Sequence, residues 1–326
     1  MNAKQPVDIF NVNIKNFESA ALEMFHYQCQ NNAVYSSYVA RQPLKRQNPA
    51  NTLSIPFLPV SFFKTHQVVA FVGNPDEVFT SSGTTGLVTS RHFVKQRSIY
   101  EQSFIQCFRQ FYGHPAQYAF LCLLPSYLER SGSSLIYMAE KLIQLSGDAD
   151  SGFFLKAEGQ LEQILKRRES EGKKSFLLGV TFALLDFASA SSVELKNTIV
   201  METGGMKGRR LELTRQELHD ALKQIFGIGT IHSEYGMTEL LSQAYSSGGG
   251  IYRCPPWMKV FVRDEDDPFT VRQTGTGLLC LVDLANMYSC SFIEIADIGT
   301  VFHDGSFEVL GRIDNSDIRG CSLLTA

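Results

Sequence analysis

Between residues 118 and 226 the hydrophobic period of the sequence switches repeatedly, and that alternation restricts the fold more than any other feature. "YAFLCLLP" is an unbroken apolar run of strand type, and "GSSLIYMAEKLIQL" spaces its apolar residues as a helix does. "GFFLKA" reads as a strand and "LEQILKRRESEG" as a charged helix closed by Gly172. "SFLLGV" passes straight into the helix "TFALLDFA", and "NTIVME" is a further strand. A last helix starts at Thr214, where Thr214 and Glu217 have the spacing of a capping box. Strands alternating with helices predict parallel strands joined by crossover helices, with ligands gathering beyond the C-terminal ends of the strands.

The flanks are less regular. Phe17, Ala21, Met24, Phe25 and Tyr35 give residues 15 to 40 a helical spacing that Pro43 ends, and the Pro-punctuated "IPFLPVSFFK" follows at 55–64. Residues 91 to 112 read as one long helix. Beyond the glycines 248 to 250 the texture becomes short apolar runs broken by Gly, Asp and Pro, so residues 250–326 are expected to be β-rich. The expected class is α/β: a core over 1–249 with mostly parallel sheets flanked by helices, and a β-rich part of the same unit over 250–326. An apolar fraction of 44% in 326 residues suffices for a large core. A net charge of −3 without a basic block argues against nucleic acid as a partner. The seven cysteines have irregular spacing and no C-x-x-C, so free thiols are expected rather than a disulfide frame or zinc site. The start lacks a signal-peptide core, and the most apolar run, 176 to 185, is too short to cross a bilayer; a cytoplasmic protein without membrane insertion is expected.

Two stretches carry chemistry. "FTSSGTTG" has no lysine after its last glycine and lacks G-x-G-x-x-G spacing, so it is neither the usual NTPase loop nor a dinucleotide fingerprint. Its glycines let the backbone curl while Ser81, Ser82, Thr84 and Thr85 offer hydroxyls, which suits phosphate oxygens or, more plainly, a hydroxyl-rich surface turn. Far downstream, "SEYGMTELLSQAY" sets an aromatic face, a close-approach glycine, a hydroxyl and a carboxylate within five residues: Tyr235, Gly236, Thr238 and Glu239. Alone it could be a helix start capped by Thr238.

With the two stretches in this order, the sequence resembles the adenylate-forming enzymes, the acyl-CoA synthetase and luciferase-like superfamily. "METGGMKG", with Gly204 and Gly205, resembles the turn that lies against adenine, "EIADIGT" supplies Asp297 for the ribose hydroxyls, and "GRIDNSDIRG" supplies Arg312 and a hinge at Asp314. Within the superfamily, "IPFLPVSFFK", "LLPSYLERSGSSLIYM", "GGMKGR", "YGMTEL" and "GRIDNSDIRGCSL" look like the LuxE-type acyl-protein synthetases, the fatty-acid-activating component of fatty acid reductases. The fold so implied is the N-terminal core of these enzymes without their separate C-terminal domain of roughly one hundred residues.

What the resemblance implies is ATP-dependent activation of a fatty acid, with Mg²⁺ on Glu239. ATP would be bound by Ser81, Ser82, Gly83, Thr84, Thr85, Gly86, Gly204, Gly205, Tyr235, Gly236, Asp297 and Arg312, and Thr238 would hold the α-phosphate. Cys321 would take the acyl group as a thioester for a partner reductase; a thiolate is a strong nucleophile, and Arg319 nearby favours ionisation. An acyl pocket is expected around Tyr127, Gly179 and Phe182, positions that equally suit ordinary core. Lys64, Arg91 and Lys207 are open candidates for the positive charge that the family's C-terminal lysine supplies. Two other readings stand beside this one: a ligase passing its adenylate to coenzyme A or a carrier, and a catalytically inactive nucleotide- or acyl-binding scaffold.

Overall fold

The computed structural model describes residues 7–81, 89–124, 132–204, 214–264 and 266–312. They form two compact units, one of residues 7–75, 90–95 and 256–312, the other of the residues between 76 and 255 apart from 90–95.

The second unit is built on the alternating region. Its six-stranded sheet runs Gly152–Phe153, Ala119–Leu123, Ser175–Val180, Thr198–Thr203, His232–Tyr235 and Ala244–Ser246, the first five parallel and the last antiparallel. Helices cover both faces, which is why Ala119–Leu123 is buried at every position instead of alternating. Leu121, Leu123, Leu177 and Val200 pack on one face with Leu161, Leu184 and Leu222 of the helices Glu158–Ser170, Thr181–Ala190 and Arg215–Phe226. Phe120 and Phe176, one residue out of step, pack on the other, where Phe108 of the helix Arg97–Tyr112 lies 5.4 Å and 5.3 Å from them between ring centroids. Each such ring contributes roughly 1.5–3 kcal/mol by leaving water. The capping box is present in full: Thr214 accepts from the Glu217 amide, and the Glu217 carboxylate accepts from the Thr214 amide at 2.8 Å.

The first unit folds around an antiparallel sheet in the order Phe307–Arg312, Phe292–Val301, Gly275–Asp283, Met258–Arg263 and Val271–Arg272. The short strand Leu58–Pro59 of the Pro-punctuated segment adds to Phe292–Val301 in parallel. The β-rich texture expected after residue 250 is therefore present. The division at residue 249 differs from the one the contacts make, because the N-terminal helix Phe17–Asn31 packs with this sheet. Its fully buried Gln28 donates to the carbonyls of Asn286 (3.0 Å) and Met287 (3.2 Å) and accepts from the Ser291 amide (3.0 Å). Next to it, Asn32 donates to the Ser289 carbonyl at 2.9 Å.

One element departs from the sequence expectation. Residues 91–112 are not one helix but the strand Arg91–Val94 followed by the helix Arg97–Tyr112. Burial in "RHFV" alternates with period two, which a strand satisfies and a helix does not. No helix among the described residues is long and apolar enough to cross a membrane.

Candidate functional site

The C-terminal ends of the central parallel strands are level with one another. Leu123 pairs with Gly179, Val180 with Thr203, and Thr203 with Glu234, so the backbone leaves the sheet along one edge. Three of the expected site segments leave from that edge. After Val180 the chain turns directly into a helix, whose first residue, Thr181, donates from its hydroxyl to the Gly204 carbonyl at 2.7 Å. Gly204 follows the strand Thr198–Thr203 at φ 75°, a left-handed conformation that costs a glycine little and a residue with a Cβ more. After Tyr235 the chain makes a turn, not a helix: the Leu240 amide donates to the Met237 carbonyl at 3.1 Å, with Thr238 and Glu239 between them. Thr238 is half-buried and Glu239 buried.

The root of that turn is held by a carboxylate that sequence reasoning did not single out. Glu234 is buried, and its Oε2 accepts from the Thr203 hydroxyl at 2.5 Å across the two strands. Its other oxygen lies beneath Gly236, where a Cβ would stand 2.3 Å from Oε1, so a side chain at 236 would have to displace that carboxylate. Burial pushes the Glu234 carboxyl up to about 7, with nearby Glu202 adding to the rise and the Thr203 hydrogen bond opposing it. Glu202 has partners of its own on the helix Arg215–Phe226: Arg215 Nε and His219 Nε2 each lie 3.7 Å from its Oε1. The capping box fixes the start of this helix, and the spacing of four residues puts Arg215 and His219 on one face. Arg215 also lies over the ring of Tyr252, 5.4 Å from the centroid, and that ring meets Tyr235 edge-on at 5.7 Å. The available signal was the presence of glutamates in "IVMET" and "HSEY", strands otherwise made for burial; a carboxylate there needs a reason.

The remaining expected residues are distributed as follows. Ser81 is half-buried and follows the strand Glu77–Thr80, where the Thr80 amide donates to the Gly132 carbonyl at 2.7 Å and Phe79 packs edge-on to Tyr100 at 5.3 Å. Gly179 is buried, and a Cβ there would stand 2.8 Å from Leu184 Cγ and 3.0 Å from Leu123 Cβ, so its side of the sheet is filled by core. Phe182 is partly buried against the same core. In the other unit, Asp297 and Arg312 are cross-strand partners, with Arg312 Nε 3.8 Å from Asp297 Oδ1. Ser82, Gly83, Thr84, Thr85, Gly86, Tyr127, Gly205 and Cys321 lie outside the described residues, as do Lys207, Asp314 and Arg319.

No cluster of three or more His, Cys, Asp or Glu side chains capable of holding a metal occurs among the described residues. Mg²⁺ is commonly held by one or two protein carboxylates together with substrate phosphates, so the single carboxylate of Glu239 fits that ion as a companion of a nucleotide.

No family model and no curated protein matches the sequence. Solved structures do. The chain is similar to ATP-bound MatB from Rhodopseudomonas palustris at 13% identity and a TM-score of 0.54, over 74% of this chain and 50% of that one. It is similar to an open conformation of 2-hydroxyisobutyryl-CoA ligase in complex with 2-HIB-AMP and CoA at 11% identity and a TM-score of 0.64, over 91% and 74%. The same ligase in the postadenylation state matches at 12% identity and a TM-score of 0.63, over 96% and 73%. The chain spans about half the length of MatB. Likeness at these identities is one of fold: the chain shares with these structures an α/β arrangement of sheets flanked by helices.

Proposed function

We propose that the chain activates a fatty acid with ATP as an acyl-adenylate, carries the acyl group as a thioester on Cys321, and hands it to a partner reductase. The observation that carries the adenylation step is the turn with Tyr235, Gly236, Thr238 and Glu239, which leaves the C-terminal edge of the parallel sheet level with Gly204. Ligands of parallel sheets bind at that edge, and the fold is shared with structures solved with ATP and with 2-HIB-AMP.

In the first step a carboxylate oxygen attacks the α-phosphorus and the bond to the β-phosphate breaks, releasing pyrophosphate. The hydroxyl and amide donors of residues 81–86 offset phosphate charge, and Thr238 orients the α-phosphate. Glu239 holds Mg²⁺, which when bound supplies charge neutralisation at the phosphates. The Tyr235 ring and Gly204 with Gly205 take the adenine, Asp297 takes the ribose hydroxyls, and Arg312 is placed beside Asp297. In the second step the Cys321 thiolate attacks the acyl carbon, the bond to the phosphate oxygen breaks, and AMP leaves. The pocket for the acyl chain is assigned to Tyr127, Gly179 and Phe182; the space on the Cβ side of Gly179 is filled by Leu184 and Leu123.

A second reading, transfer of the adenylate to coenzyme A, is favoured by the ligase structure that holds CoA. Incubation with radiolabelled fatty acid, ATP and Mg²⁺, followed by denaturing separation, distinguishes them. Label on the protein, removed by hydroxylamine and absent in Cys321→Ser, is the expected result. Label that appears only on added CoA overturns the thioester step. Absence of fatty-acid-dependent exchange between pyrophosphate and ATP overturns adenylation and leaves the inactive scaffold.

A further inference from the structure

Glu234 takes no part in the steps above, yet it is the carboxylate most closely tied to the turn that carries them. One oxygen accepts from Thr203 at the end of the neighbouring strand, and the other occupies the space where a side chain at 236 would begin. The turn at 235–239 and the strand leading to Gly204, the two segments assigned to adenine, are thus joined through one side chain. Gln243 borders the same spot, its Cγ 3.6 Å from the point where a Cβ on Gly236 would stand. Its buried Oε1 has no hydrogen-bond partner among the described residues.

From these contacts we infer that Glu234 is a positioning residue for the 235–239 turn and that its neutral form is the one that binds an adenine nucleotide more tightly. The inference rests on the nucleotide reading above. Of the groups around Glu234, Glu202 on the neighbouring strand Thr198–Thr203 is the one that carries negative charge, and it adds to the rise caused by burial. The phenols of Tyr100 and Tyr112 on Arg97–Tyr112, of Tyr245 on Ala244–Ser246 and of Tyr252 are raised above their usual range by burial and stay neutral, so they supply no compensating positive charge. The cationic side chain of Arg215, and His219, lie against Glu202 instead. An ionised Glu234 therefore adds negative charge, in a poorly solvated place, beside a turn that receives phosphates. With its carboxyl held up to about 7 by burial, both forms are populated near neutral pH.

The test is calorimetric titration of the full chain with AMP at pH 6 and pH 8, for the wild type, Glu234→Gln and Glu234→Ala. The ratio of the wild-type Kd to that of Glu234→Gln at each pH cancels the titration of the AMP phosphate itself. That ratio is expected to rise by up to about tenfold between the two pH values, the limit when only the neutral form binds. Glu234→Ala, which keeps neither contact, is expected to bind more weakly than Glu234→Gln at both. A flat ratio, or alanine binding as tightly as glutamine, overturns the inference while leaving nucleotide binding intact. A wild type that binds neither AMP nor ATP at either pH overturns the nucleotide reading and this inference with it. Should the alanine variant not fold, the glutamine ratio decides alone.

Discussion

At the scale of single residues, the site turns on where carboxylates are buried. Glu239 was legible because it stands in a recognisable pattern with Tyr235, Gly236 and Thr238. Glu234 was not, since nothing in "HSEY" tells which face of the strand meets Thr203. Its energetic consequence can be read from stability. A carboxyl whose folded-state value is about 7 against 4.5 for the free group keeps its proton longer when folded. The folded state is then favoured below the unfolded value and loses that advantage as pH rises from about 4.5 through about 7. The loss is of order 3 kcal/mol by linkage. Glu234→Gln removes it, so the variant should gain stability relative to wild type between pH 4.5 and pH 8, as read by urea unfolding of both proteins. An equal stability gap at the two pH values would show that this carboxyl does not carry the shift.

At the scale of elements, local sequence chemistry was mostly sufficient. "SFLLGV" coincides with the strand Ser175–Val180, and the helix predicted from Thr214 begins there with both capping hydrogen bonds made. That cap also aims Arg215 and His219 at Glu202, so its loss should be felt at the site as well as in the helix. Thr214→Ala is expected to cost about 1 kcal/mol, measured as a lowered urea midpoint with an unchanged m-value. The failure at residues 91–112 has the same local origin read the wrong way. The long helical pattern of Arg97–Tyr112 was extended backward over "RHFV", whose four residues are too few to announce a change of period.

At the scale of the molecule, the division into units depended on contacts that the sequence does not advertise. Gln28 meets Asn286, Met287 and Ser291 more than 250 positions away, and those bonds make the N-terminal helices part of the C-terminal sheet's unit. Gln28→Leu keeps most of the volume and leaves two carbonyls and an amide without their buried partner. A destabilisation of about 3 kcal/mol is expected in urea unfolding, and a variant as stable as wild type would mean that these bonds do not hold the unit together.

Outside residues 91–94, the sequence by itself determined most of the kinds of element, their order, and the residue types that suit a phosphate-bearing ligand, because hydrophobic period, capping and turn chemistry act over a few neighbours. Tertiary structure alone decided that Thr203 faces Glu234, that Gly236 sits over that carboxylate, and that Leu184 and Leu123 fill the space beside Gly179. Those placements follow from strand register and helix packing, which are fixed by burial summed over segments far apart in the chain.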